Sequence, residues 1–343
     1  MSDAMPLIAS IIPVLNESEH IGACLDSLIA QTFPAQNHIV LVFDGGSDDS
    51  TCDEVRKAIE RSVDANGPRI ELHPNPEKHV AEARNLALSM LPKSVQYTVE
   101  LIGHSTVEID HLEIRLNEWR RIESMAPNPL AALGIRVHPR KGEHGLVENW
   151  IEGTLASPLG SGSGQFDSFT VSGPTKTPAF AMHSRLALET VDGWDTSYIT
   201  SQDSDLSMRL LDSGFSVFRT PATHVSMVKR SGLNKWWKMG HRYGFWRMKI
   251  LRKHPKRASL REFLPWFGFL TTFLLFFLQP NMSLLLPSCY LAVLVFEGVR
   301  SSIRFKRISA LFGVPLCLLM LHTSFSLGLV DGLFRKGRAS SDR

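Results

Sequence analysis

No residue from Phe263 to Phe296 carries a formal charge, and none does from Ile308 to Val330. Buried globular cores seldom contain uninterrupted apolar stretches of that length, so these two runs set the first limit on the fold. Gln279-Pro280-Asn281 breaks the first run. Two membrane helices joined by a tight turn fit it, at about 263–279 and 281–298, each slightly short for a hydrocarbon core of roughly 30 Å. The second run, about 308–330, is long enough to span alone, with a kink expected at Pro315 and His322 as its one ionisable group. The mean hydropathy of -0.03 therefore averages a membrane part and a soluble part.

The soluble part reads as alternating strands and helices. Leu7-Ile8-Ala9-Ser10-Ile11-Ile12-Pro13-Val14 is a short, β-branched apolar run, hence a buried strand. From Glu17 to Ala30, Ile21, Cys24, Leu25, Leu28 and Ile29 fall on one helical face. A second strand, Ile39-Val40-Leu41-Val42-Phe43, leads into Asp44-Gly45-Gly46-Ser47-Asp48-Asp49-Ser50-Thr51, and a helix follows from about Cys52 to Val63. Ile70 to Leu72, Val80 to Leu91 and Tyr97 to Ile102 read as strand, helix and strand. This is the start of an open parallel sheet, where ligands bind beyond the carboxyl ends of the strands. A Gly- and Ser-rich loop from Ala156 to Thr177 has the length of a lid, and no internal repeat is evident.

One further stretch carries chemistry. In Ser201-Gln202-Asp203-Ser204-Asp205-Leu206, two carboxylates stand just before a run with helical spacing that Gly214 would stop. Asp203 or Ser204 would cap that helix. A carboxylate held by backbone N–H groups is suited to accept a proton, although a plain N-cap needs no such role.

The four cysteines, Cys24, Cys52, Cys289 and Cys317, form no CxxC pair and no metal-ligand spacing, which suits reduced thiols in a cytosol-facing protein. Met1 to Pro6 lacks a basic segment, so no signal peptide is expected.

With these residues laid out, the chain resembles the large inverting glycosyltransferase family 2, which has the GT-A fold. Within it the likeness is greatest to a membrane-attached branch that includes succinoglycan-synthesis-type enzymes. The resemblance runs through Ser10 to Glu17, Cys24 to Thr32, Val42 to Thr51, Ala83-Arg84-Asn85 and the Asp203 stretch, and on to His224, Tyr243-Gly244 and Arg247. It covers most of residues 7 to 255. Each motif alone is weak, and their order and spacing together make the signal.

The resemblance implies an α/β fold of GT-A type, an open, mostly parallel sheet flanked by helices, followed by C-terminal membrane helices. It implies that Pro13, Asn16 and Glu17 line a nucleotide pocket, that Asp44 accepts a hydrogen bond from base or ribose, that Arg84 lies near the diphosphate, and that Asp203 is the general base. Asp205, His224, Arg230 and Arg247 are candidates for the acceptor side or a lid. The partners expected are a nucleotide-diphosphate sugar, a polyprenyl-linked or glycan acceptor and a lipid membrane, with no nucleic acid. The chemistry of such a transfer needs acceptors for base and ribose, cations or donors for the diphosphate, and one carboxylate to take the proton of the attacking hydroxyl.

Two positions depart from the family pattern. Its metal motif, Asp-x-Asp or Asp-x-His, is here Ile102-Gly103-His104. Ile102 binds neither metal nor ribose, which leaves His104 as a candidate ligand for a divalent cation, Mg²⁺ or Mn²⁺, or simply as a hydrogen-bonded loop histidine. In Thr175-Lys176-Thr177-Pro178, Lys176 stands where that branch tends to have Asp. It could take over part of a cation's duty at the diphosphate or remain a solvated lysine.

Net charge is only +3, but Ser213 to Arg261 contains no Asp or Glu, and Lys229 to Arg257 is dense in Lys and Arg. There Trp236, Met239, Tyr243, Trp246 and Ile250 recur at spacings of three and four. An amphipathic helix with aromatic anchors and cationic flanks suits an in-plane position at a membrane; nucleic-acid binding is the rival use of such a charge cluster, the adjoining apolar run favours lipid, and a helix docked on the catalytic domain is compatible with either. Arg300, Arg304, Lys306 and Arg307 favour a cytoplasmic loop, which makes the first apolar run a hairpin. If 308–330 then spans, Arg335, Lys336 and Arg338 end outside, against the positive-inside tendency. Either that segment is re-entrant or the tendency fails here.

The organisation expected is a catalytic domain at 1–228, a basic interfacial region at 229–262, a membrane region at 263–334 and a basic tail at 335–343. The catalytic domain would face the cytoplasm from the inner membrane. The competing class is a non-catalytic, membrane-bound nucleotide-sugar binder or scaffold with a degenerate metal site, which Ile102 favours and which Asp203, Asp44 and Arg84 oppose.

Overall fold

The computed structural model describes residues 7–140, 142–161, 169–229 and 232–338. The chain divides into two units, Met1–Lys141 with Phe169–Val228, and Gly142–Ser168 with Lys229–Arg343. Gly142–Ser168 thus joins the C-terminal unit, although sequence order placed it in the catalytic domain. The Gly- and Ser-rich segment 162–168 lies outside the described residues.

In chain order the elements are β1 (Ile8–Val14), α1 (Ile21–Ile29), β2 (His38–Asp44), α2 (Thr51–Asp64), β3 (Arg69–Pro74), α3 (Val80–Met90), β4 (Tyr97–Glu100), β5 (Ser105–Val107), α4 (His111–Glu123), β6 (Leu130–Pro139), α5 (Leu146–Leu155) and α6 (Pro158–Ser161). There follow β7 (Gly173–Pro174), β8 (Met182–Ser184), α7 (Arg185–Thr190), α8 (Gln202–Asp212), β9 (Ser216–Met227), α9 (Leu233–Lys253), α10 (Leu260–Leu278), α11 (Leu285–Phe305) and α12 (Ala310–Phe334).

The first unit is one sheet in the order β3-β2-β1-β4-β8-β6-β9-β5, with β7 on β9. β1, β2, β3 and β4 are parallel, as the alternation of apolar runs and helices predicts. Beyond β4 the sheet is mixed, because β8 runs antiparallel to both β4 and β6. The central strands are buried on both faces. Ile8, Ile12 and Val14 pack with Leu25, Leu28 and Val55, while Ile11, Ile39 and Phe43 pack with Ala83 and Ala87 of α3. Helix α1 starts at Ile21 and not at Glu17, because Glu17 belongs to the loop that follows β1.

Buried histidines, His38 and His183 among them, give this unit a pH dependence. His38 lies 2.9 Å from the Ser10 hydroxyl, and burial pushes its imidazole down to about 3. His183 is likewise pushed down to about 3, by burial first and then by Arg84 and Arg115. The folded state therefore binds fewer protons than the unfolded state between about pH 3 and 6.5, and their contribution to stability is lost as pH falls through that window. Lowering the pH from 7.5 to 5 should cost about 2 kcal/mol per histidine, at 1.36 kcal/mol for each unit below 6.5. Thermal melts of wild type and His38→Gln at both pH values check this. The drop should be smaller in the variant, and equal drops would remove His38 from the account.

In the second unit, α10, α11 and α12 are long and apolar enough to cross a membrane. The break at Gln279-Pro280-Asn281 becomes a turn of 3-10 helix, Pro280–Met282. Helix α9 has the expected stripe, with Trp236, Met239, Trp246 and Ile250 buried and Tyr243 exposed. The stripe's partner is α12. The Trp236 indole donates to the Cys317 carbonyl at 2.9 Å, and a Cβ built on Gly240 or Gly244 would overlap Ser324 or the Phe325 carbonyl. Gly328 and Gly332 return the contact against His241 and Phe245, so small residues on both helices bring the backbones together.

Candidate active site

Val14, Asp44 and Pro74 are in register, so β1, β2 and β3 end at one level. The chain moves outward from β1 to β3 and then returns to β4 on the other side of β1. The gap beyond β1 and β4 is therefore a topological switch point, where open α/β sheets form a crevice.

The loop after β1 is stitched to the loop after β2. Asn16 adopts φ 55°, which Asn tolerates better than most residues. Its N–H donates to the Ser47 hydroxyl at 2.9 Å, and its side-chain oxygen accepts from the Asp48 N–H at 3.0 Å. The Glu17 N–H donates to the Thr51 hydroxyl at 2.8 Å. Asp44 accepts from the Gly46 N–H, the Ser47 N–H and the Ser47 hydroxyl, at 3.0, 3.1 and 2.6 Å. Much of its accepting capacity thus shapes its own loop. Pro13 is half-buried at the end of β1.

Across the switch point, His104 Nδ1 lies 2.7 Å from Glu17 Oε1. Gly103 makes this approach possible, since a Cβ there would stand 3.0 Å from the Glu17 side chain. The described residues contain no group of three or more His, Cys, Asp or Glu placed to hold a metal ion. Glu17 and His104 supply one carboxylate and one imidazole. That fits a hard divalent cation only where phosphate oxygens and water complete its shell.

Helix α8 begins at Gln202, one residue before Asp203 and two before Ser204, the expected caps. Its N-cap is Ser201, held at φ 70° in the left-handed region. Asp203 lies in the first turn, exposed, and accepts from the Ser204 N–H at 2.8 Å. The helix stops as read, with Gly214 at φ 84° and the Phe215 N–H donating to the Leu210 carbonyl at 3.1 Å.

Beneath this surface lies a buried charge cluster. Glu100, at the end of β4, meets Arg84 of α3 at 3.1 Å and His183 of β8 at 3.6 Å. Arg84 also stands over the Trp194 ring at 5.6 Å, and Asn85 exchanges hydrogen bonds with the Trp194 backbone at 2.7 and 2.8 Å. These contacts tie α3 to the segment that leads into α8. Burial pushes the Glu100 carboxyl up to about 6, Arg84 pulls it back, and the charge of Asp203 adds to the rise. Burial lowers the Arg115 guanidinium to about 9, with Glu100 opposing.

Arg84 is only 6% exposed, so its charge is committed to Glu100 and not presented at the surface. Asp205 needs a correction. It is fully buried and paired with Arg209 at 2.7 Å, and so is closed to an acceptor. His224 on β9 stacks on His138 at 4.1 Å and lies 3.6 Å from Glu108. Lys176 is exposed after β7. Arg247 belongs to the second unit, where it pairs with Glu262 at 3.2 Å, and Arg230 lies outside the described residues. A cavity of about 410 Å³ is lined by Tyr97, Trp119 and Arg185 at the opposite end of β4, and none of the expected site residues lines it.

Glu100, His183 and Arg115 were not expected as site residues. The signal for Glu100 was available, since a lone carboxylate in Tyr97-Thr98-Val99-Glu100-Leu101 needs a buried partner.

Comparison with known proteins shows what the chain is similar to. The model described as glycosyl transferase family 2 matches residues 10–155. A "Dolichyl N-acetyl-alpha-D-glucosaminyl phosphate 3-beta-D-2,3-diacetamido-2,3-dideoxy-beta-D-glucuronosyltransferase" of Methanococcus voltae is 26% identical over 96% of this chain and 98% of its own. A succinoglycan biosynthesis protein of Rhizobium meliloti is 26% identical over 74% of this chain and 73% of its own. Among solved structures, a mannosyltransferase of Pyrobaculum calidifontis in complex with GDP-Man and Mn²⁺ is similar in fold. It has a TM-score of 0.59 at 17% identity, over 96% of this chain and 88% of that one.

Proposed function

Starting from a chain that is a glycosyltransferase with a family 2 domain, we propose that it moves a sugar, with inversion, from a nucleotide-diphosphate sugar to a lipid-linked or polysaccharide acceptor. The observation that carries this reading is the β1/β4 switch point. There the loops bearing Asn16, Glu17, Asp44 and His104 converge, with the exposed Asp203 coupled electrostatically to Glu100 at the end of β4.

Pro13, Asn16 and Asp44 hold base and ribose at the ends of β1 and β2. The diphosphate sits toward Glu17 and His104, with Lys176 as a further cation. Asp203 takes the proton of the acceptor hydroxyl as its oxygen bonds to the anomeric carbon. The bond from that carbon to the phosphate oxygen breaks, and its electron pair leaves on the nucleoside diphosphate. One displacement inverts the centre. A divalent cation, held by Glu17 and His104, would offset the charge of the leaving diphosphate. Arg84 acts behind the site, through Glu100. In this reading the catalytic domain faces the cytoplasm from the inner membrane. Nothing in this geometry favours the non-catalytic alternative, and Asp203 is exposed.

Two binding experiments test the donor side. Asp44→Ala should weaken nucleoside diphosphate binding about tenfold or more by calorimetry, since it removes a ligand acceptor and unstitches the Gly46–Ser47 turn. An unchanged Kd would defeat the assignment. Ile102→Asp places a carboxylate beside His104 and should tighten Mn²⁺-dependent donor binding. Donor binding that ignores Mn²⁺ in both proteins would mean that Glu17 and His104 are not a cation site.

A further inference from the structure

We propose, on the reading that Asp203 is the base, that Arg209 is a positioning residue which holds the Asp203 turn of α8 at a fixed angle to the donor loops. That turn needs an external hold. Its N-cap, Ser201, makes no side-chain hydrogen bond to the helix and stands at φ 70°, a left-handed backbone that persists only where the surroundings enforce it. A helix end without a side-chain cap frays readily, because its first N–H groups have no partner inside the helix. Yet Asp203 is the second residue of α8, and a base must meet its hydroxyl within hydrogen-bond reach.

Arg209 supplies the hold from further along the same helix. Its guanidinium donates in three directions. Nε reaches Asp205 Oδ2 at 2.7 Å, Nη1 the Val191 carbonyl at 2.5 Å, and Nη2 the Gly193 carbonyl at 2.8 Å. Asp205 is wholly buried, and it lies two residues after Asp203, about 200° round the helix. Drawing Asp205 inward therefore turns Asp203 outward. A planar fork with five donors can serve one carboxylate and two carbonyls at once. A lysine ammonium keeps the charge beside Asp205 but cannot reproduce the set.

The two carbonyls belong to the turn that ends α7, where the Gly193 N–H donates to the Leu188 carbonyl at 2.9 Å. That turn is itself anchored on α3. The Asn85 side chain accepts from the Trp194 N–H at 2.8 Å and donates to the Trp194 carbonyl at 2.7 Å. A Cβ on Gly193, at φ 66°, would stand 2.4 Å from Asn85 Oδ1, so the close approach requires glycine. Next to Asn85 in sequence, Arg84 pairs with Glu100 at the end of β4. The series Asp205, Arg209, Gly193–Trp194 and Asn85 thus runs from the base turn to the strand whose loop carries His104. Through it the angle of Asp203 is referred to the frame that holds the donor.

A double-mutant cycle on kcat tests this in the full chain. Rates of sugar transfer are expressed per nucleotide-binding site counted by calorimetry, so that unfolded protein does not enter. Arg209→Lys should lower kcat about 10- to 100-fold, the scale of a catalytic group held slightly out of place, with the donor KM and the nucleoside diphosphate Kd nearly unchanged. Because that loss acts through Asp203, Asp203→Asn with Arg209→Lys should be no slower than Asp203→Asn alone. Losses that multiply would mean that Arg209 serves another step or only the fold, and would overturn the proposal. Near-normal turnover in Asp203→Asn alone is a different result, which removes the base itself and this role of Arg209 with it. A second variant covers the case in which Arg209→Lys does not fold. Asp205→Leu with Arg209→Met replaces the buried pair by apolar side chains, an exchange that folds often tolerate, and makes none of the three hydrogen bonds. It should bind nucleoside diphosphate as wild type does, with kcat lowered about as far as in Arg209→Lys. Full activity in that variant would show that the brace is not needed.

Discussion

Asp203→Asn should lower sugar transfer by about 10²- to 10⁴-fold, the usual effect of removing a positioned base. The nucleoside diphosphate Kd should change little, because Asp203 stands at the start of α8 and the donor loops follow β1, β2 and β4. The fold should also tolerate the change. Asp203 is exposed, and its charge works against the buried Glu100 carboxylate. Initial rates and calorimetry on the same preparation separate the two effects. Near-normal turnover would remove Asp203 from the mechanism, and a large loss of nucleotide affinity would make it a donor ligand.

Glu100→Ala should strongly destabilise the first unit. It leaves Arg84 and Arg115 buried without their carboxylate, at 6% and 0% exposure. Breaking a buried pair in this way costs on the order of 3–5 kcal/mol. The damage should be partly reversible. Arg84→Met in the Glu100→Ala background removes one of the stranded cations, so the double variant should melt above the sum of the two single losses. A coupling of more than about 1 kcal/mol between the positions is expected for groups in contact. Losses that simply add would mean that Glu100 and Arg84 are near neighbours without an energetic link.

The parallel half of the sheet was legible in the sequence. β1 and β2 are short apolar runs, the helix between them has one clean apolar face, and Asp44-Gly45-Gly46 marks a strand end. The other half was harder for physical reasons. Helix α4 buries His111 and Arg115 on its core face, which erases the apolar period. β9 contains Pro221, and β7 and β8 are too short to show any alternation. At the site, the type and order of residues could be read but their commitments could not. Asp205 looked like a second functional carboxylate, and only its buried pairing with Arg209 shows a structural role. Arg84 looked like a diphosphate ligand because the partner that holds it, Glu100, is separated from it by a helix end and most of a strand.

The α9 stripe teaches the same lesson. Trp236 to Ile250 was plainly amphipathic, but an amphipathic pattern does not name its partner. The partner is a stretch of α12 that itself reads as a membrane span. Gly240 and Gly244, with Gly328 and Gly332, were the available signal, since small residues four apart on two helices mark a close seam.

The central claim is a single displacement with Asp203 as the base, and the stereochemistry of the product tests it most directly. Purified full-length protein in lipid is screened against a panel of nucleotide-diphosphate sugars, and the anomeric proton of the product is followed by NMR from the first minutes of turnover. The account predicts inversion, so that an α-linked donor gives a β-linked product at the outset, and predicts that this signal is lost in Asp203→Asn. A product that keeps the configuration of the donor would contradict it.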